Sequence, residues 1–297
     1  LTCAAYLAKA GKKVLVLEAN PQAGGFCITE QIGSAPHGYL MQTYTIEFPF
    51  ANIRPSVIEE LDLQSYGLKL VDPDTHNGYV DPNGSTWKMH SSLDKTCESI
   101  ARLSTRDAEY YRRWMGGIMD VVHAVTPYLA DHPTGPSLAT ILTVAGRLAK
   151  KWKNLLYGIR LLTCPPTDII AGFEREELKA YFAMNVITGS WRPLDEPLNT
   201  SIYVYFALTH LYGQRRIIGG AGQFTAALAA CVKAHGGEIR TSCPVRQIVV
   251  RNGRATGVAL QSGEEVSASQ IVAAVDPTSL FTRLLDSADV SLEIHEE

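Results

Sequence analysis

The first twenty-five residues, LTCAAYLAKAGKKVLVLEANPQAGG, constrain this chain more than any other stretch. Leu1, Ala4, Ala5, Leu7 and Ala8 recur at helical spacing, and their small side chains let a helix lie close on a sheet. Gly11 ends that helix, because glycine takes the left-handed C-terminal conformation without steric cost. Val14 to Leu17 are consecutive apolar residues, too few for a helix and suited to a buried parallel strand. Glu18 closes the strand. The order of helix, strand and acidic residue reads as the second half of a βαβ dinucleotide-binding unit.

In such a unit the acidic residue stands roughly 20 residues after a glycine-rich turn and hydrogen-bonds ribose hydroxyls. Counting back from Glu18 puts the turn before Leu1, so the chain reads as beginning just after the last glycine of a G-x-G-x-x-G. Gly24 and Gly25 follow Glu18 by a few positions and let backbone amides approach a bulky or anionic ligand that a Cβ would hold off. On residues alone, an ordinary αβ pair with a glycine-rich loop also satisfies this pattern. Glu18 with Gly24-Gly25 at this offset resembles the FAD-dependent oxidoreductases of the phytoene desaturase type, in which the pair lines the flavin side of the site.

A chain of 297 residues with 46% hydrophobic and 19% charged residues holds enough apolar material for one large or two modest cores, so disorder is not expected. Formal net charge is −3, so no basic field advertises nucleic acid or an anionic membrane as a general partner. Cys3, Cys27, Cys97, Cys164, Cys231 and Cys243 include no C-x-x-C pair, so neither a thioredoxin-like centre nor a zinc knuckle is expected; they read as reduced, mostly buried thiols. No metal site is expected. No apolar run of about 18 residues exists to span a bilayer, and a targeting signal is not assessable without the true N-terminus.

Between residues 26 and 50, short alternating segments broken by Gly33, Pro36 and Gly38 suggest loops and edge strands near a pocket. His37 reads there as a loop histidine rather than a catalytic base. A short helix at PSVIEELDL precedes two strands turned at Pro82-Asn83-Gly84. Helices follow from Ser92, with Ser92, Ser104 and Thr167 as candidate caps. Tyr111, Trp114, Met115, Ile118, Val121 and Val122 recur at helical spacing and read as core, although an apolar substrate channel draws on the same residue types. Residues 138 to 162 join an apolar stripe to Arg147, Lys150, Lys151, Lys153 and Arg160: a solvated helix face, or a basic amphipathic surface in peripheral contact with a membrane. His210, Tyr212, Arg215 and Arg216 precede a glycine cluster, where they serve either a reactive site or merely a helix end.

The second informative stretch begins at Ile217. Gly219, Gly220 and Gly222 precede a helix with Phe224, Leu228, Cys231 and Val232 on its apolar face, ended by Gly236-Gly237. Glu238 to Thr241 reads as a strand, Val245–Arg251 and Arg254–Leu260 as a hairpin about Asn252-Gly253, and Gln270 to Val275 as a last buried strand. This order is similar to the same phytoene desaturase-type flavoproteins, and most to the pyridine nucleotide-disulfide oxidoreductase domain-containing protein 2 branch and bacterial phytoene dehydrogenase-like proteins. The redox-active cysteine pair of disulfide reductases is absent from the sequence.

The resemblance implies an α/β fold: a Rossmann-like FAD-binding domain, with a parallel sheet, helices and a β-hairpin layer, carrying an inserted α+β substrate domain. Residues 1–50 and 216–297 would form the first and 51–215 the second. It implies FAD as cofactor, held by Glu18, Ala19, Gly24 and Gly25, with the Val245 backbone on adenine and Ala274 toward the pyrophosphate. It also implies hydride transfer to flavin from a C–C bond of an apolar, polyene- or lipid-like substrate, with no nucleic acid partner and a cytoplasmic or membrane-peripheral location. A flavin carries the hard step, so no strong base is required, and no G-x-S-x-G, H-E-x-x-H or paired-carboxylate signature is present. Catalytic residues stay unassigned. An amine oxidase-like flavoenzyme and a non-catalytic interaction module remain the alternatives. Because the family's glycine-rich turn and second flavin-contacting segment fall outside the sequence, the chain alone is expected to bind FAD weakly or not at all.

Overall fold

A computed structural model describes residues 1–33, 38–44, 55–82, 84–131, 135–150, 152–286 and 290. His37 and Asn83 lie outside them, as does Lys151. The chain forms two compact units, one from Leu1–Glu47, Pro55–Lys69 and Ile217–Glu297, the other centred on Leu70–Arg216. Pro55–Lys69, which the sequence reading places in the insertion, groups with the first unit.

The chain opens with α1 (Thr2–Lys9) and β1 (Leu15–Leu17). Ala5 and Ala8 are fully buried on the inner face of α1, and Gly11 turns the chain with φ 73°. The hairpin β2 (Glu30–Ile32) and β3 (Tyr39–Met41) follows, then α2 (Pro55–Glu60). Tyr6 donates from its hydroxyl to Glu60 at 2.6 Å, tying α1 to α2.

The second unit contains β4 (Leu70–Val71) and a hairpin of β5 (Thr75–Val80) and β6 (Thr86–His90). Its helices are α3 (Leu93–Ala101), α4 (Thr105–Ala130), α5 (Leu138–Lys150), α6 (Trp152–Thr163), α7 (Pro166–Ile170), α8 (Glu176–Ser190) and α9 (Ser201–Tyr212). Ser92 and Ser104 accept from the amides of Lys95 and Asp107 and so cap α3 and α4 as expected. Thr167 does not cap: Pro165 and Pro166 set the entry to α7 and place Thr167 inside its first turn.

Tyr111, Trp114, Met115, Ile118 and Val122 on α4 are buried, and they join Phe173, Phe182, Tyr203 and Phe206 in one aromatic core. Trp114 meets Tyr203 edge-on at 4.9 Å and Phe182 at 5.1 Å. Each such side chain contributes roughly 1.5–3 kcal/mol by burial and about 1 kcal/mol more through favourable ring pairs. Asp107, fully buried, accepts from the amides of Glu174 and Arg175 and anchors the chain entering α8. α6 crosses α4 where glycines meet: a Cβ on Gly158 would stand 2.3 Å from the Gly117 carbonyl oxygen. The Arg113 guanidinium lies over the Tyr157 ring nearby.

β7 (Arg216–Ile217) leads back to α10 (Gly222–Ala234), whose Phe224, Leu228, Cys231 and Val232 are buried. β8 (Glu238–Arg240) then pairs parallel with β1, Val16 opposite Ile239. β9 (Val245–Arg251) and β10 (Arg254–Leu260) form the expected hairpin, with Asn252 and Gly253 at φ 54° and 71° as a primed turn demands, and β11 (Glu265–Ser267) adds to β10. Gln270–Val275 corrects the sequence reading: it is no strand, and Val272 and Val275 are exposed. The cysteines correct it too, since only Cys97 and Cys231 are buried and Cys3 is exposed. No described helix is long and apolar enough to cross a membrane.

Candidate cofactor-binding site

The site is built where β1 ends. Glu18 leaves the strand with its amide bonded to the Arg240 carbonyl at 2.9 Å, and its own carbonyl accepts from the Cys243 amide at 2.8 Å. Its carboxylate is therefore presented at the carboxyl end of a parallel pair, where α/β sheets place ligands. One oxygen, Oε1, accepts from the Asn20 amide at 2.9 Å and from Asn20 Nδ2 at 3.1 Å, which fixes the side chain's direction. Oε2 accepts no bond from the described residues, so the carboxylate keeps acceptor capacity for a diol. Ala19 follows, exposed.

Gly24 has φ 146°, and a Cβ there would lie 2.9 Å from Thr225 Oγ1 and 3.0 Å from the Cys27 carbonyl oxygen. Thr225 donates to that carbonyl at 2.8 Å, so the Gly-Gly loop is held against α10. Gly25, with φ 59° and nothing within 4 Å of a Cβ position, presents bare backbone. The amides at the start of α10 face the same loop region: Gly222 donates to Thr29 Oγ1 at 3.0 Å and Ala221 to Gln42 Oε1 at 3.2 Å.

Val245 opens β9 two residues after the Cys243 amide that holds Glu18. Leu17, Val245 and Ile271 pack on one cluster of Ile248, Val258 and Leu260. Glu18 and Val245 are thus brought together, while Ala274 lies exposed in irregular chain three residues beyond Ile271. A partly engaged carboxylate at a strand end, beside a loop free of Cβ, fits the ribose end of a dinucleotide cofactor. Sequence reasoning missed Asn20, Thr29, Gln42 and Thr225, and the Ser242 turn at φ 53° that brings Cys243 back to Glu18. An asparagine two residues after a strand-ending acid is the one available signal among these.

The other candidates serve structure. His210 is bonded through Nε2 to the Tyr111 hydroxyl at 2.8 Å and through Nδ1 to the Ser91 carbonyl at 3.1 Å, and burial pushes its imidazole down to about 4. Burial likewise lifts the Tyr111 phenol well above its ordinary range. Tyr212 donates to Thr126, Arg215 pairs with Asp72, and Arg216 donates to the His76 carbonyl. Tyr111 and Trp114 of α4, the aromatic residues at the helical spacing read from the sequence, are packed core. A cleft in the second unit is lined by Tyr79, Asp81, Glu174, Arg175, Glu176, Glu177 and Ala180, acidic side chains beside an arginine and an aromatic ring.

Comparison with known proteins agrees with this architecture. Residues 1–56 match the NAD(P)-binding Rossmann-like domain model, and residues 161–292 match the model of the flavin containing amine oxidoreductases. Phytoene desaturase (neurosporene-forming) of Cereibacter sphaeroides is 37% identical over 232 residues, 73% of this chain and 40% of that protein. Pyridine nucleotide-disulfide oxidoreductase domain-containing protein 2 of Rattus norvegicus is 26% identical over 96% of this chain and 52% of its own length. A putrescine oxidase structure superposes with a TM-score of 0.57 over 99% of this chain and 59% of its own, at 17% identity. The chain spans about half the length of the curated relatives it matches. Rossmann-like in its nucleotide-binding unit, the chain is a homologue of the FAD-dependent oxidoreductases of the phytoene desaturase type.

Proposed function

We propose that this chain is part of an FAD-dependent oxidoreductase that dehydrogenates C–C bonds of an apolar, polyene- or lipid-like substrate. The observation that carries the reading is the Glu18 carboxylate, aimed by Asn20 and Cys243 at the end of the parallel pair. In this reading Glu18 accepts from ribose hydroxyls, Ala19, Gly24 and Gly25 border the cofactor through backbone, Val245 meets adenine through its backbone, and Ala274 approaches the pyrophosphate. FAD, when bound, supplies the hydride acceptor. The chain's own residues bind and orient, and none is assigned a proton. In this reading the unit of Leu1–Glu47, Pro55–Lys69 and Ile217–Glu297 is the cofactor domain and the unit centred on Leu70–Arg216 the substrate domain, in a protein that is cytoplasmic or peripheral to a membrane.

The match of residues 161–292 to the flavin containing amine oxidoreductases favours one second reading, oxidation of an amine. The test is the visible spectrum of the purified full-length protein beside Glu18→Ala, followed by anaerobic bleaching with a polyene or an amine. Flavin absorbance weakened in the variant and bleached by the polyene supports the first reading. Bleaching by amine with peroxide release supports the second. A protein that stays colourless after incubation with FAD overturns both and leaves an interaction module.

A further inference from the structure

Between Lys13 and Arg54 the sequence holds no lysine or arginine, and its formal charges are Glu18, Glu30 and Glu47. Within that stretch β2 and β3 pair antiparallel, Glu30 opposite Met41 and Ile32 opposite Tyr39. Residues opposite each other, and those two apart along a strand, share a face. Ile32, Tyr39 and Met41 therefore lie on one face, and all three are exposed, Tyr39 to 76%. The carboxylate of that face, Glu30, accepts from the Thr43 hydroxyl.

The hairpin is held from its other side. Thr29 and Gln42, one residue out of phase, accept from the Gly222 and Ala221 amides at the start of α10, at 3.0 and 3.2 Å. Gly220 and Gly222 let the chains close up: a Cβ on Gly220 would stand 2.6 Å from Thr29 Oγ1, and one on Gly222 2.7 Å from the Thr29 amide nitrogen. Thr225 of the same helix donates to the Cys27 carbonyl at 2.8 Å, so one helix fixes both the hairpin and the Gly-Gly loop. Phe26 follows Gly25 directly and meets the Tyr44 ring at 5.1 Å, both rings exposed, which joins that loop to the end of β3. Polar side chains thus serve attachment, and the apolar ones are turned to the surface.

An exposed apolar face of this kind marks a binding site, and charge chooses between occupants. An anionic partner needs cations, and the stretch has none. An amine needs a carboxylate, and the one on this face already accepts from Thr43. An uncharged hydrocarbon needs neither and gains by every ring and methyl group it covers. Position points the same way. A substrate that passes a hydride to flavin must lie against the cofactor, and this face is continuous with the loop that borders it in the cofactor reading.

We propose that Ile32, Tyr39 and Met41, with the Phe26–Tyr44 ring pair, form an apolar wall of the substrate site and receive an uncharged, extended hydrocarbon. This rests on the cofactor reading and deepens it by naming the residues that set specificity.

The test is titration of the purified full-length protein, loaded with FAD, with diphenylhexatriene, an uncharged rod-like polyene whose emission responds to leaving water. Binding is read twice, from the polyene's emission and from a shift of the flavin absorbance band. Expected are saturable binding and a shifted flavin band. Ile32→Gln with Met41→Gln weakens binding about tenfold and Tyr44→Gln roughly fivefold, whereas Tyr44→Phe, which keeps the ring, binds as the parent does. Flavin absorbance per chain and circular dichroism melts stay unchanged in these variants, which separates a lost wall from a lost fold or a lost cofactor. Equal binding by parent and variants overturns the inference, as does binding that leaves the flavin band unmoved, since the polyene then lies away from the cofactor. Concentration-dependent self-association abolished by Met41→Gln, without polyene binding, overturns it in favour of a second copy. Variant-sensitive binding by a protein that never retains FAD supports the wall as a hydrocarbon site and overturns the cofactor reading, so the two failures are told apart.

Discussion

Glu18 is fixed from three sides, by the Arg240 carbonyl, the Cys243 amide and the Asn20 side chain. Losing a charged acceptor that meets a ligand hydroxyl costs about 1.5–3 kcal/mol, so Glu18→Ala is expected to weaken FAD retention by roughly ten- to a hundredfold, read from absorbance after gel filtration. Asp107→Ala removes the acceptor of two amides around fully buried oxygens, and a loss of about 3 kcal/mol in urea unfolding is expected. His210 gives a pH signature. Its folded value is depressed to about 4 from 6.5, so the unfolded chain binds the proton first. Its contribution is complete above 6.5 and is lost as pH falls toward 4, about 2 kcal/mol being gone by pH 5. His210→Gln should flatten that slope between pH 7 and 5 in urea midpoints. Glu18 and Gly24 were legible in sequence because local chain geometry decides them. Thr29, Gln42 and Thr225 were not, since their partners lie across the fold and hydroxyls and amides carry no spacing signature.

At the scale of elements, caps and turns were read where one residue sets its own backbone: Ser92, Ser104, Gly11 and Asn252-Gly253. Failures fall where a neighbour decides. Gln270–Val275 has the composition of a buried strand, yet a strand exists only when another backbone pairs with it, and no described strand does. Thr167 has the right side chain for a cap, but two prolines fix the helix start ahead of it. The glycine crossing of α4 and α6 was equally silent, because glycine within a helical pattern signals only weakness. It yields a paired prediction. Gly158→Ala meets the Gly117 carbonyl and should destabilise by about 1–3 kcal/mol, whereas Gly146→Ala on α5 meets nothing within 4 Å and should stabilise by up to about 1 kcal/mol, both in denaturant midpoints.

For the whole molecule, two units of different construction share one chain: an α/β unit closed by the parallel pair β1–β8 and a mainly helical unit closed by aromatic rings. Hydrogen exchange on the full-length protein should separate their duties. FAD is expected to slow exchange at residues 18–25 and 242–245 while α4, α8 and α9, protected by their own core, stay unchanged; uniform slowing would contradict the assignment of Glu18 and Val245. The glycine contact has one last consequence. Because Gly117 and Gly158, with the Tyr157 and Leu161 side chains beside them, seat α6 on α4, the outward residues of α6 take no part in that crossing. They are free to drift over generations, and the same scaffold can exchange one environment for another by surface substitutions alone.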